Sequence, residues 1–477
     1  MTIAYASTVV QIEPLEEPLR TLLTQTADEL ARETQFVQRR SPLTGAIFAQ
    51  TLILGWLAQP QASYTHLQQM MALLGCPVSA QALEQRLTVQ AADFLLSLLH
   101  AAVAQAISSE AMSSELLSRF EGVYVQDGSI IGLPSTLAGL YRGCGGNTPS
   151  SGTSALRMQV RLNLNTGRLG GPWLQEARGG ERSGPGNIEQ HPLPKDALYV
   201  TDCAYLPLQT MRALSQQGVC WLTHARADLM LTDERGVRST LTEYLKLHAK
   251  QPVIDAWVNV GATAATRQRV RLLAFRVSEQ TAKQRRTLAT RQSKTRGKGS
   301  RRDVRVGKRR QRPSLDGRHR RCISHKRLAL SDWTILLSNV AAERLAPHEA
   351  RALMRCRWQI ELLWRLWKER GQVDLWRSEK AMRILCEIYA KLLGMIIQHW
   401  LIIVGCWQQS HRSMVKASLA VQLVAVSLAL TLNGPLGLQE VMEASQRAMA
   451  RARLNPCKKR PSTADLLEQP LLARGLG

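Results

Sequence analysis

The sequence predicts a mixed α/β protein, with helical regions on both sides of a strand-and-helix core and a β-rich stretch inserted in it. Three observations lead there. Apolar residues recur at helical spacing from about residue 15 to 118 and again from about 346 to 450. From about residue 122, short β-branched or alternating runs are followed by helical ones, with acids near strand ends. From about 228 to 345 the pattern turns to β segments that enclose the densest run of positive charge in the chain.

In the first helical region, "SYTHLQQMMALLGCPVSAQALEQRLT" (63–88) gives a periodic helix ending near Leu74 and a turn at Gly75, Cys76, Pro77 and Val78. Ser79 can cap a second helix carrying Gln81, Gln85 and Arg86. A helix-turn-helix offered to a major groove and a plain helical hairpin fit this pattern equally.

Strand signals begin with "GVYVQDGSIIGL" (122–133), a β-branched run that Asp127, Gly128 and Ser129 are expected to break as a turn. "SALRMQVRLNLNTGRL" (154–169) alternates as a half-buried strand and turns at Asn165, Thr166 and Gly167. "ALYVTD" (197–202) is a short apolar strand ending at Asp202, followed by a helix and a further strand, "VCWLTHAR" (219–226). "RQRVRLLAFRV" (267–277) and "LSDWTILLSNV" (330–340) belong to the inserted β region.

"RCRWQIELLWRLWKERG" (355–371) reads as one helix, with Ile360, Leu363, Trp364 and Trp367 on a buried face. At about 100° per residue, Arg357, Glu361 and Lys368 form a single charged stripe beside that face. The apolar run "KLLGMIIQHWLIIVGCW" (391–407) contains Lys391, Gln398 and His399 and reads as a buried helix, too short for a membrane span.

Lys and Arg number 62 against 37 acids, a formal charge of +25. Such an excess selects a polyanionic partner, nucleic acid before an anionic membrane surface. Residues 283–327 hold 19 Lys or Arg and two acids, and are expected to be a disordered basic segment. Nine scattered cysteines without a Cys-x-x-Cys pair fit a reducing compartment. The first twenty residues lack the pattern of a signal peptide, so a soluble cytoplasmic protein is expected.

Three carboxylates stand out. Asp127 and Asp202 lie at the ends of buried strands, where a turn or cap role is the ordinary explanation. Glu361 sits on a helix otherwise turned to the core. Buried acids are costly unless paired or bound to metal. Three of them without a His or Cys cluster suit Mg²⁺ or Mn²⁺. Two such ions would serve phosphodiester chemistry.

These motifs resemble a bacterial insertion-sequence transposase of the DDE superfamily, in the family with a Tyr-x2-Arg-x3-Glu-x6-Lys signature. "RWQIELLWRLWK" supplies Arg357, Glu361 and Lys368; "VYVQDGS" and "YVTDCAY" are similar to the blocks around the two catalytic aspartates. "DWTILLSNV" resembles the strand preceding the signature. The resemblance implies a ribonuclease-H-like core with Asp127, Asp202 and Glu361 binding two Mg²⁺. It implies cleavage at the element ends and joining to target DNA, performed by a homodimer or higher assembly on double-stranded DNA. It further implies that Arg357 and Lys368 hold the backbone near a flipped base, on which Trp333 stacks. The chain departs from the pattern at Met354, where a tyrosine is expected, and at Ala204, where a glycine is usual. The expected layout is a DNA-binding helical domain at 1–118, core segments at 119–227 and 346–400, the insertion at 228–345 and C-terminal helices at 401–477. A catalytically inactive DNA-binding descendant is the alternative.

Overall fold

The computed structural model describes residues 13–144, 153–182, 184–261, 263, 267–296, 328–409, 411–434, 437–455 and 462–468. It is a mixed α/β protein that divides into two compact units. One holds Met1–Val200 and Arg355–Pro470, the other Thr201–Met354.

The first unit opens with helices α1 (Glu13–Thr21), α2 (Ala27–Glu33), α3 (Gly45–Ala58), α4 (Tyr64–Leu73), α5 (Ala80–Gln85), α6 (Val89–Ala104) and α7 (Glu115–Ser118). Side chains of Thr44, Ser63, Ser79, Thr88 and Ser114 accept from the first-turn amides of α3 to α7 and fix where each helix starts. The α4–α5 hairpin turns at Gly75, whose φ of 84° suits glycine. Strands β1 (Val123–Leu133), β2 (Ser154–Asn163), β3 (Leu169–Glu176) and β4 (Leu198–Thr201) follow. β2 pairs antiparallel with β1 and β3, and β4 pairs parallel with β1.

Two strand expectations are corrected. Asp127, Gly128 and Ser129 do not turn: β1 runs through them because each pairs in register, with Val160, Gln159 and Met158. Cross-strand pairing along all of β1 outweighs the local turn preference of the triplet. β2 is not half-buried but buried along its whole length. Its apolar side chains Leu156, Met158, Val160 and Leu162 share a face with Asp127, whereas Arg157, Gln159 and Arg161 lie on the other.

That polar face is buried with most of its groups hydrogen-bonded. The Gln126 carbonyl accepts from Arg161 Nε at 2.8 Å and Tyr199 OH at 3.1 Å, and its amide donates to Gly186 O. Arg161 reaches His191 O and Arg157 pairs with Glu181 at 2.7 Å. The hairpin between β2 and β3 turns at Asn165, Thr166 and Gly167, as expected, with Gly167 at φ 72°.

α12 (Trp358–Arg365) packs on β1, and α13 (Ala381–Cys406), α14 (Met414–Leu432), α15 (Leu438–Met449) and the short α16 (Thr463–Glu468) follow in the chain. α13 packs on α3 and α6 and is buried from Ile384 to Cys406, which places the long apolar run in the core as expected. The unit's N-terminal end is tied to α14 through Arg20, which donates to Leu432 O and Gly434 O.

The second unit holds β5 (Cys220–His224), β6 (Met230–Thr232), β7 (Arg238–Thr240), β8 (Val253–Val260), β9 (Gln268–Arg276) and β10 (Trp333–Ser338), in the order β5-β10-β9-β8-β6-β7. Helices α8 (Leu208–Gln216), α9 (Leu241–Leu247), α10 (Glu279–Arg296) and α11 (Pro347–Cys356) accompany them. Arg271, 1% exposed, is held by Asp255 through two bonds of 2.7 Å and by the carbonyls of Val340 and Leu345. The expectation of disorder over 283–327 is corrected for its first part. α10 carries the basic segment to Arg296, anchored by Arg285 on Trp333 O and by an Arg286–Asp332 ion pair. Residues 297–327 lie outside the described residues.

Candidate active site

The sequence treats 355–371 as one helix; the fold interrupts it twice. A break at Arg357 separates α11 from α12, and after Arg365 the chain widens into a π-helical turn, Leu366–Arg370. Ile360, Leu363, Trp364 and Trp367 are buried as the periodicity predicts, with Trp364 and Trp367 in an edge-on pair. That burial seats α12 against β1.

The seating brings charged groups together. Arg357 Nη2 lies 2.5 Å from Glu361 Oε1, and Nη1 lies 3.8 Å from Asp127 Oδ2. One guanidinium therefore faces two carboxylates from distant parts of the sequence. Lys368, projecting from the π turn, donates to Ile130 O at 3.0 Å, so the predicted stripe of Arg357, Glu361 and Lys368 does run along β1.

Asp127 sits mid-strand among apolar neighbours, and burial pushes its carboxyl up to about 6. Arg357 and the Gly128 amide pull the other way, whereas Glu361 and Glu181 push further up. Burial thus outweighs the adjacent cation, and a carboxyl perturbed in this way is a functional-site candidate.

Asp202 directly follows β4, which pairs with β1 through Leu198, Tyr199 and Val200 against Val123, Tyr124 and Val125. Asp202 is exposed, and its carboxylate accepts from the Cys203 amide at 2.5 Å. Trp333, the expected stacking residue, opens β10 in the second unit and is 8% exposed, its main-chain oxygen held by Arg285. Met354, at the expected tyrosine position, is buried near the end of α11.

Sequence reasoning missed Glu181, which reaches the Asp127 environment from the loop after β3. It noted Lys391 but passed over its partner Glu387, whose spacing of four inside an apolar helix was the available signal.

Among the described residues no three His, Cys, Asp or Glu side chains form a metal cluster. What the site offers a hard divalent ion is the all-oxygen pair Asp127 and Glu361, already converging on a cation.

Residues 186–397 match the transposase DDE domain family. The span includes Asp202 and Glu361; Asp127 lies ahead of it. The transposase for insertion sequence element IS231C of Bacillus thuringiensis subsp. berliner is 24% identical over 405 residues, covering 80% of this chain and 78% of that protein. The transposase for IS231F of Bacillus thuringiensis subsp. israelensis is 24% identical, covering 81% and 79%. The transposase for IS1151 of Clostridium perfringens is 18% identical, covering 78% and 76%. These matches support a DDE transposase of the bacterial insertion-sequence type. As such a transposase it is a DNA-cleaving and strand-transferring enzyme, and its family uses divalent metal ions.

Proposed function

We propose that Asp127, Asp202 and Glu361 are the catalytic carboxylates of this transposase, on a ribonuclease-H-like core, and hold two Mg²⁺ for which Mn²⁺ substitutes. The observation that carries this is Arg357, drawn at once to Asp127 and Glu361, because two carboxylates gathered around one place create a site for a cation. Asp202 supports it by position: Asp127 lies two residues beyond Val125, and Asp202 two residues beyond Val200, the partner of Val125. Bound there, the ions would activate an attacking water or 3′-hydroxyl and stabilise the leaving oxygen of a phosphodiester.

The residues of the chain do the remaining work. Arg357, relieved of the carboxylates, is free to grip a DNA phosphate, and Lys368 can exchange Ile130 O for another. Asp127 must be ionised to serve, and with its carboxyl at about 6 it is mostly ionised at neutral pH. Trp333 takes part once its indole is uncovered, since 8% exposure leaves little face for a base. The inferred layout keeps 1–118 as a DNA-binding helical domain, with the α4–α5 hairpin as its reader. The core is 119–227 with 346–400, the insertion 228–345, and the C-terminal helices 401–477. The substrate is double-stranded DNA carrying the element's terminal inverted repeats, together with a target duplex. The working assembly is a homodimer or higher, in the cytoplasm.

Nicking of a duplex bearing the element's own ends tests the assignment. Asp127→Ala, Asp202→Ala and Glu361→Ala should each abolish it while DNA binding persists; nicking by all three variants would overturn the proposal.

A further inference from the structure

α13 contains an i, i+4 ion pair, Glu387 with Lys391, inside a mostly apolar stretch. The nitrogen–oxygen distance is 2.7 Å and each side chain is 2% exposed. A buried pair of this kind adds little net stability over apolar residues of the same size. Its value lies in direction, and the direction is specific. Lys391 Nζ also donates to Leu375 O at 2.8 Å and to Gln372 O at 3.2 Å, so its three protons meet three acceptors. The second Glu387 oxygen accepts from the Arg377 amide at 3.2 Å.

All of these partners belong to one turn, the chain between the π segment and α13. That turn is constrained in ways its own sequence does not favour. Gln372 takes φ 48°, a left-handed conformation that costs a non-glycine residue about 1 to 3 kcal/mol. A side chain at Gly371 would meet Met395 Sδ at 2.3 Å, so the backbone lies directly on α13. From the turn, Val373 donates back to Trp367 O, the residue next to Lys368. A path of hydrogen bonds therefore runs from the buried pair to the lysine that rests on β1.

We propose that Lys391, oriented by Glu387, is a positioning residue for strand cleavage: its bonds to the Gln372 and Leu375 carbonyls pin the turn after the π segment, which sets where that segment ends and so where Lys368 and Glu361 stand over β1. This rests on the catalytic assignment of Glu361.

The test uses the full chain and a duplex carrying the element's own ends. In the double variant Lys391→Met with Glu387→Gln, the pair is replaced by neutral side chains of similar length. The expected protein unfolds cooperatively and binds the duplex within about threefold of wild type, yet cleaves pre-bound ends about 10²-fold more slowly. Amides of 372–377 should exchange faster while those of α13 keep their protection. The reversed pair, Glu387→Lys with Lys391→Glu, retains both charges but aims a carboxylate at two carbonyls, and should not recover the rate. Recovery would show that pairing of charge alone matters and would overturn the proposal. Where the double variant fails to fold, Glu387→Gln alone keeps both Lys391–carbonyl bonds and should cleave within about threefold of wild type. A loss there as deep as 10²-fold would remove the carbonyl bonds as the cause and overturn the proposal. Glu361→Gln separates the two levels. Wild-type cleavage by the double variant beside an inactive Glu361→Gln sinks the positioning role only, while an active Glu361→Gln sinks the catalytic assignment beneath it.

Discussion

Two cation–carboxylate pairs share the same spacing of four residues and have opposite characters. Arg357–Glu361, at the start of α12, has side chains 20% and 38% exposed, and its cation is divided between two acids. Glu387–Lys391, within α13, is 2% exposed on both sides, and every proton of the ammonium is used. The closed pair has one arrangement and fixes the chain around it. The open pair keeps unused bonding capacity, which lets a cation change partners. Completeness of hydrogen bonding, more than the presence of opposite charges, separates a group that holds shape from one that does chemistry.

Truncation should pull the two pairs furthest apart. Lys391→Ala leaves Glu387 buried and unpaired, and a loss of about 3 to 5 kcal/mol is expected in urea unfolding. Arg357→Ala removes a partly solvated partner and should cost about 1 kcal/mol or less, while end cleavage falls to background. Equal destabilisation by the two would erase the distinction.

Next in size is Asp127→Asn in metal-free protein. The carboxyl of Asp127 is held at about 6, above its ordinary 3.8, so folding favours its neutral form. Its contribution to stability is full below pH 3.8 and is lost as pH rises through 6. An asparagine stays neutral, so the variant should be more stable than wild type by about 2 kcal/mol above pH 7 and no more stable at pH 4. Thermal melts with chelator across that range read the sign directly. Cleavage should be absent at every pH.

His399 supplies an effect of opposite sign that sharpens the same melts. It is buried against Gly167 O, and burial depresses it to about 4 from 6.5. Its contribution is present above pH 6.5 and lost as pH falls toward 4. His399→Gln should therefore flatten the acid limb without touching the limb set by Asp127. Smallest is Met354→Tyr, expected to raise end cleavage by no more than about tenfold in a quantitative nicking assay.

Much of the fold was legible in the residues, for identifiable reasons. Ile360, Leu363, Trp364 and Trp367 repeat at helical spacing, and burial follows from that period. Asn165, Thr166 and Gly167 carry their own turn chemistry, and Ser79 its own cap. Where local sequence and long-range pairing conflict, the sequence misleads. Asp127, Gly128 and Ser129 favour a turn in isolation, but pairing with β2 keeps them extended. Alternation in β2 suggests a solvated polar face, which Gln126, Tyr199 and the loop after β3 instead cover and largely satisfy. The break at Arg357 and the widened turn after Arg365 leave no local mark in the sequence. Of the site, the charged stripe was readable; that Arg357 is shared with Asp127 required the fold.

The π segment carries one residue more than an α-helical turn would need. Deleting Leu366 would let it relax to an ordinary helix and rotate the downstream chain by about 100°. Lys368 would leave the β1 edge while the fold kept its helix. Length at this point is thus heritable information in its own right: a three-base deletion here would disarm the enzyme with every charged side chain still encoded.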